Sequence, residues 1–379
     1  MTFVIFLLVL SVLVLIHELG HFVAARMLGI KVEEFAFGLP FTRHLFQIKR
    51  GETMYSVYPV LFGGFVKLYG EDASVGGSQS FWNRGRKHRM LVTGAGVVMN
   101  IILALVFFVV LYMAIGVPQS TVNKVTVTTV ENDSPAKTAG LLVEDKIVAV
   151  EGKQVADGAE FGKIMRSWAG IPVNLTIERG RGIFLLEGVT ENTNVQKINI
   201  SITGRINPPQ GQGPLGVGIA DFPYLQVDKC STLNAKCSIN AMGAGIKTTG
   251  IWVGRVFDGL RGIGKSLAAG KNPEGVSGVI GIYQLTDVVS QGGFWPVIEL
   301  MAILSVNLAV FNILPIPALD GGRMLFIWIE WARRKRITSE LEQRINSIGM
   351  TVLIILMILI TLQDVVRTGV VDKLWKLIY

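Results

Sequence analysis

Four long apolar segments constrain this chain more than any other feature of its sequence. They run over residues 1–25, 90–117, 295–331 and 345–366, and a helix needs about 20 residues to cross a bilayer. Half of the 379 residues are hydrophobic and only 17% are charged, whereas a soluble domain carries about 25% charged residues. The pattern predicts a multi-spanning α-helical membrane protein with four transmembrane helices.

The positions of the basic residues indicate how these helices are oriented. Lys and Arg concentrate in residues 26–89 and again in the short loop 332–344, and loops of this kind lie in the cytoplasm. The N-terminus, the long middle section and the tail 367–379 are then expected outside the cytoplasm. The net charge of +8 does not form a basic stripe interleaved with aromatic residues, so we exclude nucleic acid as a partner.

The first apolar segment has two interpretations. A cleaved signal peptide is one, but no charged residue precedes His17 and the apolar run is longer than a usual signal core. The same segment also carries the most informative motif of the chain. We therefore expect a permanent transmembrane helix over residues 1–25.

That motif, His17-Glu18-Leu19-Gly20-His21, matches the pattern H-E-x-x-H. Two histidines four residues apart lie on one face of a helix. Their imidazoles can bind one Zn²⁺ while Glu18 takes a proton from water that the metal activates. Ionisable residues in an apolar span are costly and usually functional. Simple solvation at the cytoplasmic interface is the alternative, and it leaves the spacing unexplained.

A catalytic zinc needs a third protein ligand, and Asp320 is the best candidate. It ends the segment Asn312-Ile-Leu-Pro-Ile-Pro-Ala-Leu-Asp320, which lies near the cytoplasmic end of the third span, at the depth of His17 and His21. Prolines and glycines break the helix there, and such backbone is tolerated at membrane depth where it lines a cavity. An ion pair with Arg323 is the alternative role of Asp320. For Asn312, a hydrogen bond between helices competes with a contact to substrate.

The long middle section contains two different patterns. In residues 121–222, short alternating segments separated by turn residues predict a compact α+β domain of about a hundred residues. In residues 223–294 an amphipathic helix is expected, either on the outer membrane interface or against the protein's own exterior domain. Within residues 223–294, Cys230 and Cys237 are both expected outside the cytoplasm, which favours a disulfide over two free thiols.

In combination, these motifs resemble those of the site-two proteases, a family of zinc intramembrane metalloproteases, and within it the bacterial RseP-like type. The resemblance covers nearly the whole chain, including residues 121–222, which are similar to a single PDZ domain. It rests on the two motifs above and on three further segments, Gly96-Val-Val-Met-Asn100, Gly213-Pro-Leu-Gly-Val-Gly-Ile219 and Ser277-Gly-Val-Ile-Gly-Ile282.

The resemblance implies a zinc-dependent intramembrane endopeptidase in the inner membrane of a bacterium. Its substrates would be transmembrane segments of other membrane proteins, such as anti-sigma factors or signal-peptide remnants, already trimmed by another protease. Zn²⁺ would be held by His17, His21 and Asp320, with Glu18 as the catalytic base, near the cytoplasmic side of the lipid bilayer. The PDZ domain would lie outside the cytoplasm.

The loop 26–89 is expected to contain a membrane-associated β-hairpin, which the family has at this position. Residues 55–68 alternate, with Gly63 and Gly64 at a turn. An edge strand there can hold a substrate in extended form beside the metal by adding it to the sheet. A cytoplasmic hairpin without any role in substrate binding is the alternative.

Two other classes of function compete with a protease. A non-catalytic PDZ membrane adaptor, or a degenerate relative, would lack at least one of the three ligands or the base, and all four are present. A transporter also has broken helices, but the last two spans show no inverted repeat of the first two.

The PDZ domain itself either binds a new terminus left by a first cut or acts as a size filter. We favour the filter, since no charged residue between Gly211 and Ala220 is available for a carboxylate.

Overall fold

The computed structural model describes residues 1–40, 43–71, 77–180, 182–190, 195–228, 235–271 and 278–367. The chain divides into two compact units. The first unit is Met1–Val109, Gly245–Gln291 and Val297–Tyr379, and the second is Val110–Ala244 with Gly292–Pro296.

The described elements follow one another in three blocks along the chain. The first block is α1 (Thr2–Met27), β1 (Val32–Leu39), β2 (Phe46–Arg50), β3 (Thr53–Val57), β4 (Val60–Leu68) and α2 (Arg86–Ile115). The second is β5 (Val117–Val130), α3 (Pro135–Thr138), β6 (Lys146–Val150), β7 (Lys153–Gln154), α4 (Gly158–Ser167), β8 (Pro172–Arg179), β9 (Ile183–Leu185), β10 (Gly188–Thr190), β11 (Gln196–Thr203) and β12 (Val217–Asp228). The third is α5 (Ala235–Ala268), α6 (Val279–Gln291), α7 (Phe294–Ile313), α8 (Asp320–Arg333) and α9 (Ser339–Arg367).

Four helices in the described part of the chain are long and apolar enough to cross a membrane. They are α1, α2, α7 and α9, and the mean hydropathy of their most apolar windows lies between 1.9 and 2.8. Each corresponds to one of the apolar segments of the sequence. The third segment, however, does not continue as one helix to residue 331, because α7 ends at Ile313 and α8 begins at Asp320.

The break between α7 and α8 has local causes. Two prolines in the connection lack a backbone donor and restrict the chain, and Ala318 has a positive φ of 75°, a region that residues with a side chain rarely adopt. The connection folds back tightly onto the start of α8. A Cβ atom on Gly321 or Gly322 would overlap the backbone of the preceding connection, so the two glycines make this turn possible.

The segment between α1 and α2 forms a four-stranded sheet with the order β2-β3-β1-β4. β1 pairs with β3 in parallel and with β4 in antiparallel orientation, and therefore lies between them. The hairpin expected over residues 55–68 is thus wrong, because β3 and β4 are consecutive in the chain but not neighbours in the sheet.

Gly63 and Gly64 are not at a turn but inside β4. Gly63 has a positive φ of 87°, and a Cβ atom there would lie 3.3 Å from Val14 Cγ1 of α1. On Gly64 it would lie 2.6 Å from the carbonyl oxygen of Ala36 in β1, closer than real Cβ atoms approach. The two glycines therefore allow β4 to lie close to both α1 and β1.

The second unit is an α+β domain, as the alternating segments predict. Seven strands form a sheet in the order β11-β8-β6-β5-β12-β10-β9, and β7 pairs with β6. The short helices α3 and α4 complete a core in which α4 buries Phe161 and Met165, four residues apart on one helix face. Asp157 caps the start of α4 by accepting a hydrogen bond from the N–H of Glu160 at 2.7 Å.

α5 packs against partners that the sequence did not indicate. One of its faces contacts apolar residues of α2 and α7 in the same unit. The residues in this contact are Ala104, Trp252, Val253, Val256, Leu260, Val306 and Val310.

Three sequence features fall outside the described residues. Cys230 is one, so its disulfide with Cys237 stays a prediction. Ser277 is another, and only the part of its motif from Gly278 onward is described. The third is the tail expected over residues 367–379, of which only residue 367 is described. The N–H groups of Gly278 and Gly281 both donate to Asp364 Oδ2 of α9, at 2.8 and 3.1 Å, which joins the start of α6 to α9.

Candidate metal centre and active site

α1 presents His17 and His21 on one face, as their four-residue spacing predicts. Their Nε2 atoms are 3.2 Å apart, and the two ring planes are nearly perpendicular, at 82°. His17 is buried, with 6% of its surface exposed. Glu18, which follows His17 in the helix, lines one cavity together with both histidines.

Asp320 approaches both histidines from the start of α8. Its Oδ2 atom lies 3.0 Å from His17 Nε2 and 3.3 Å from His21 Nε2. The alternative partner, Arg323, instead pairs with Glu71, which follows β4. Nearly 300 residues separate Asp320 from the histidines in the sequence, so the contact depends on how α1 and α8 pack.

The spacing of these three atoms fits a zinc ion. Donor atoms at about 2.1 Å from a tetrahedral zinc lie about 3.4 Å from one another, and the observed separations are 3.0, 3.2 and 3.3 Å. Asp320 Oδ2 is buried and forms no well-oriented hydrogen bond with the described residues, although two ring nitrogens are near it. Two nitrogens and one carboxylate oxygen are a donor set that zinc accepts, and they leave a fourth position open.

α2 crosses close to both histidines. The Nδ1 atom of His21 donates to the carbonyl oxygen of Val92 at 2.8 Å. Gly96 lies directly against the two rings, where a Cβ atom would be 2.6 Å from His17 Cε1. Asn100 is in contact with His17, with its Nδ2 atom 3.1 Å from Nδ1.

Asn100 was not assigned a role from the sequence. The only available signal was its place in the segment from Gly96 to Asn100, which has a four-residue spacing. That spacing predicts a shared helix face but not what the face contacts.

Glu18 is held at the wall of a cavity of about 670 Å³. Its Oε2 atom accepts a hydrogen bond from the N–H of Val66 in β4 at 3.0 Å. The two histidines and Asp320 line the same cavity, together with parts of β4 and α9. The candidate ligands and the candidate base therefore face one common space.

The three residues proposed from the sequence to contact substrate are placed differently. Asn312, near the end of α7, has its Nδ2 atom 3.4 Å from His17 Nε2, so it is beside the candidate metal site. Gly63 and Gly64 lie next to α1 and do not line the cavity. In β4 the cavity is lined instead by Phe65, Val66 and Leu68.

Comparison with known proteins identifies the family. The family model described as Peptidase family M50 matches residues 5–356. A relative from Clostridium perfringens with a zinc-metalloprotease name is 34% identical over 361 residues, covering 95% of this chain and 97% of the relative. A similarly named protein from Clostridium acetobutylicum is 32% identical, with 96% and 97% covered. The zinc metalloprotease RasP of Geobacillus kaustophilus is 26% identical, with 95% and 96% covered.

These matches extend over nearly the whole chain, so they include the helices as well as the motifs. The resemblance to site-two proteases is thereby confirmed, and the competing adaptor function is not favoured. The chain belongs to peptidase family M50, the site-two proteases, and is a multi-pass membrane protein that acts as a zinc-dependent intramembrane metalloendopeptidase.

Proposed function

We propose that His17, His21 and Asp320 hold the zinc ion of this intramembrane protease, and that Glu18 is its catalytic base. The convergence of three donor atoms at zinc-like separations, from two helices far apart in the sequence, carries this proposal. The position of Glu18 on the same cavity supports its role as the base. Arg323 has a different partner, which leaves the Asp320 carboxylate available as a ligand.

The bound zinc supplies a Lewis acid that polarises the scissile carbonyl and makes water more acidic. The protein supplies the remaining chemistry. Glu18 receives the proton of the attacking water and returns it to the leaving amine. Before substrate binds, a hydrogen bond from the N–H of Val66 holds the Glu18 carboxylate at the cavity wall. Asn312 donates from its amide to the substrate backbone, beside His17.

A Glu18→Gln substitution tests the role of the base. It should abolish cleavage of a model transmembrane substrate by the purified protein but leave zinc content unchanged, because Glu18 is not a ligand. Glu33→Gln is a matched control, since Glu33 lies away from the cavity lining and forms a partly exposed ion pair with Lys67 at 3.2 Å. Substantial cleavage by the Glu18→Gln protein would exclude Glu18 as the base.

Single alanine substitutions at the three proposed ligands test the metal site. Each should lower zinc affinity, because each removes one of only three protein donors. Full zinc stoichiometry and affinity in Asp320→Ala would mean that another residue is the third ligand. The cleavage assay and the zinc measurement therefore test separate parts of the proposal.

We also propose that β4 holds the substrate in extended form beside the metal. A peptide bond within a helix is shielded by its own hydrogen bonding, so the substrate must unwind locally before it is attacked. Three residues of β4 line the cavity, which supports a substrate-binding role for this strand. The N–H of Val66 contacts Glu18, so a substrate strand that pairs at Val66 replaces that contact.

Disulfide crosslinking tests the role of β4. A substrate with a cysteine in its transmembrane segment should crosslink to Phe65→Cys in the Glu18→Gln background, which traps uncut substrate. Phe46→Cys is the control, because Phe46 is exposed on β2, at the opposite edge of the same sheet. Equal crosslinking at both positions would reject a specific role for β4.

The orientation in the membrane is a further part of the proposal. We propose that α1, α2, α7 and α9 all span the bilayer, with residues 26–89 and 332–344 in the cytoplasm. The excess of Lys and Arg in these two segments supports this orientation. Labelling of single cysteines with an impermeant thiol reagent in intact cells tests it, and labelling within 332–344 from outside would reject it.

Residues 121–222 are proposed to be a PDZ domain outside the cytoplasm that excludes substrates with large exterior parts. A PDZ domain binds a peptide as an added strand, and here the strand next to α4 is β12. Asp221 of β12 accepts a hydrogen bond from the N–H of Gly158 of α4 at 2.9 Å. This bond joins the start of α4 to β12 at one end of the space that an added strand would occupy, which supports a filter over a peptide receptor.

Deletion of residues 122–222 tests the filter. The shortened protein should cut full-length substrates that the intact enzyme rejects until another protease has trimmed them. Unchanged zinc content would show that the membrane part still folds. If the deletion instead impaired only the cleavage of trimmed substrates, the domain would be a receptor for the new terminus.

A further inference from the structure

One face of α2 contacts both candidate ligand histidines at three successive turns. Val92, Gly96 and Asn100 are spaced by four residues and therefore lie on one side of the helix. Val92 offers its carbonyl oxygen to His21, and Gly96 has no side chain to separate the helix from the rings. Asn100 contacts His17. The zinc site proposed above uses the histidines but gives Asn100 no role.

The side chain of Asn100 is fully enclosed beside His17. The residue has 0% of its surface exposed. Its backbone carbonyl oxygen accepts a hydrogen bond from Ser305 Oγ of α7 at 2.8 Å, and Ser305 is also fully buried. The Ser305 bond fixes the backbone of Asn100, and complete burial leaves its amide little space other than that beside the imidazole.

We propose that Asn100 is a positioning residue for His17, and that its side-chain oxygen accepts the hydrogen bond of His17 Nδ1–H. A neutral imidazole has one N–H group and one lone pair. If Nε2 donates its lone pair to zinc, Nδ1 must carry the hydrogen and needs an acceptor. This inference rests on the proposed zinc site.

The amide of Asn100 can supply that acceptor without moving any other group. The structure places Nδ2 3.1 Å from His17 Nδ1, and two N–H groups facing each other repel. A half-turn about the Cβ–Cγ bond of Asn100 exchanges the positions of Nδ2 and Oδ1. Oδ1 is buried and has no hydrogen-bond partner among the described residues, so no bond to this oxygen opposes the exchange.

Val92 already supplies a hydrogen-bond acceptor to Nδ1 of His21. Its backbone carbonyl can only accept, so His21 Nδ1 carries the hydrogen and Nε2 keeps its lone pair. With Asn100 oriented as proposed, each histidine has one acceptor from α2 and directs Nε2 to the same point. Partners of this kind typically change metal affinity by about 10–100-fold.

Two substitutions at Asn100 separate an acceptor from a donor. Asn100→Leu keeps a similar shape but has no acceptor, so zinc affinity of the purified full-length protein should fall about 10–100-fold in competition with a chromophoric chelator. Asn100→Asp keeps an acceptor oxygen and should retain the wild-type affinity or exceed it. In the cobalt-substituted protein, the visible ligand-field bands should change in Asn100→Leu and stay nearly unchanged in Asn100→Asp.

Ser305→Ala is the matched control for packing. It removes a buried hydrogen bond to the backbone of Asn100 but leaves the side chain in contact with His17, so zinc affinity should be unchanged. Wild-type affinity in Asn100→Leu would overturn the proposal, as would an equal loss in Asn100→Asp. His17→Ala separates the two levels of inference. If the His17→Ala protein loses zinc and the Asn100→Leu protein keeps wild-type affinity, the proposed zinc site stands and only the role of Asn100 is rejected.

The tautomer of His17 can also be measured without any substitution at Asn100. The chain has only four histidines, so ¹⁵N-labelled histidine in the zinc-loaded protein gives few signals, and the His17→Ala protein assigns them. Nδ1 of His17 should carry a hydrogen. An unprotonated Nδ1 would overturn the proposal, whether or not the substituted proteins fold.

Discussion

Replacement of Gly96 by alanine should remove zinc from the protein without changing any proposed ligand. A Cβ atom at this position would lie 2.6 Å from His17 Cε1 and 2.8 Å from His17 Nε2, and closer still to His21 Nε2. Non-bonded carbon atoms need about 3.5 Å, so the rings must move by about 1 Å. Metal sites keep their ligand distances to about 0.2 Å, and a shift of this size therefore removes a ligand.

The expected loss of zinc affinity is at least about 100-fold, the upper end of what the loss of an outer partner causes. Zinc content by elemental analysis and affinity by chelator competition measure it, and cleavage of the model substrate should fall in parallel.

Gly94→Ala is the matched control for this experiment. It lies on the same helix, and a Cβ atom there would be 3.7 Å from Met324 Cε, an ordinary contact. Both substitutions raise helix propensity equally, by about 1 kcal/mol. Wild-type zinc affinity in the Gly96→Ala protein would refute the arrangement of the two histidines against α2.

Three further outcomes are expected. Asn346→Leu should lower both thermal stability and zinc affinity, because the Asn346 Oδ1 atom accepts the backbone N–H of Ala318, in the connection before α8, at 3.2 Å. Loss of the partner of this half-buried donor should cost about 1 kcal/mol. Glu330→Ala should reduce the free energy of unfolding by about 3–5 kcal/mol, since it leaves the buried cation of Arg89 without its partner; unchanged thermal unfolding in detergent would contradict this. Mass spectrometry should find Cys230 and Cys237 alkylated only after reduction, and alkylation of both without reduction would reject the disulfide.

The sequence alone determined the features that depend on local periodicity. A long apolar run predicts a membrane helix because the bilayer requires that length, and each of the four runs contains such a helix. The pairing of His17 with His21 follows in the same way, since a helix brings residues four apart onto one face. The prolines and glycines before and after Asp320 likewise predict the break between α7 and α8.

Local periodicity does not determine which strands or helices are neighbours. Residues 55–68 were expected to form a hairpin because they are consecutive, but the structure inserts β1 between β3 and β4. Strand order depends on which edges become buried together, and here β4 pairs with β1 and packs against α1. The partners of α5 were missed for the same reason, because its apolar face does not specify what covers it.

The candidate site depends both on local periodicity and on the packing of distant elements. The two histidines and Glu18 follow from one helix, and Asp320 was selected from the sequence because of its depth in the membrane. Its distance of 3.0 Å from His17, however, depends on the packing of α8 against α1. The contact between Asn100 and His17 depends on the rotation of α2 about its own axis. That rotation is decided by the packing of α2 against helices distant in the sequence, and only the tertiary structure shows it.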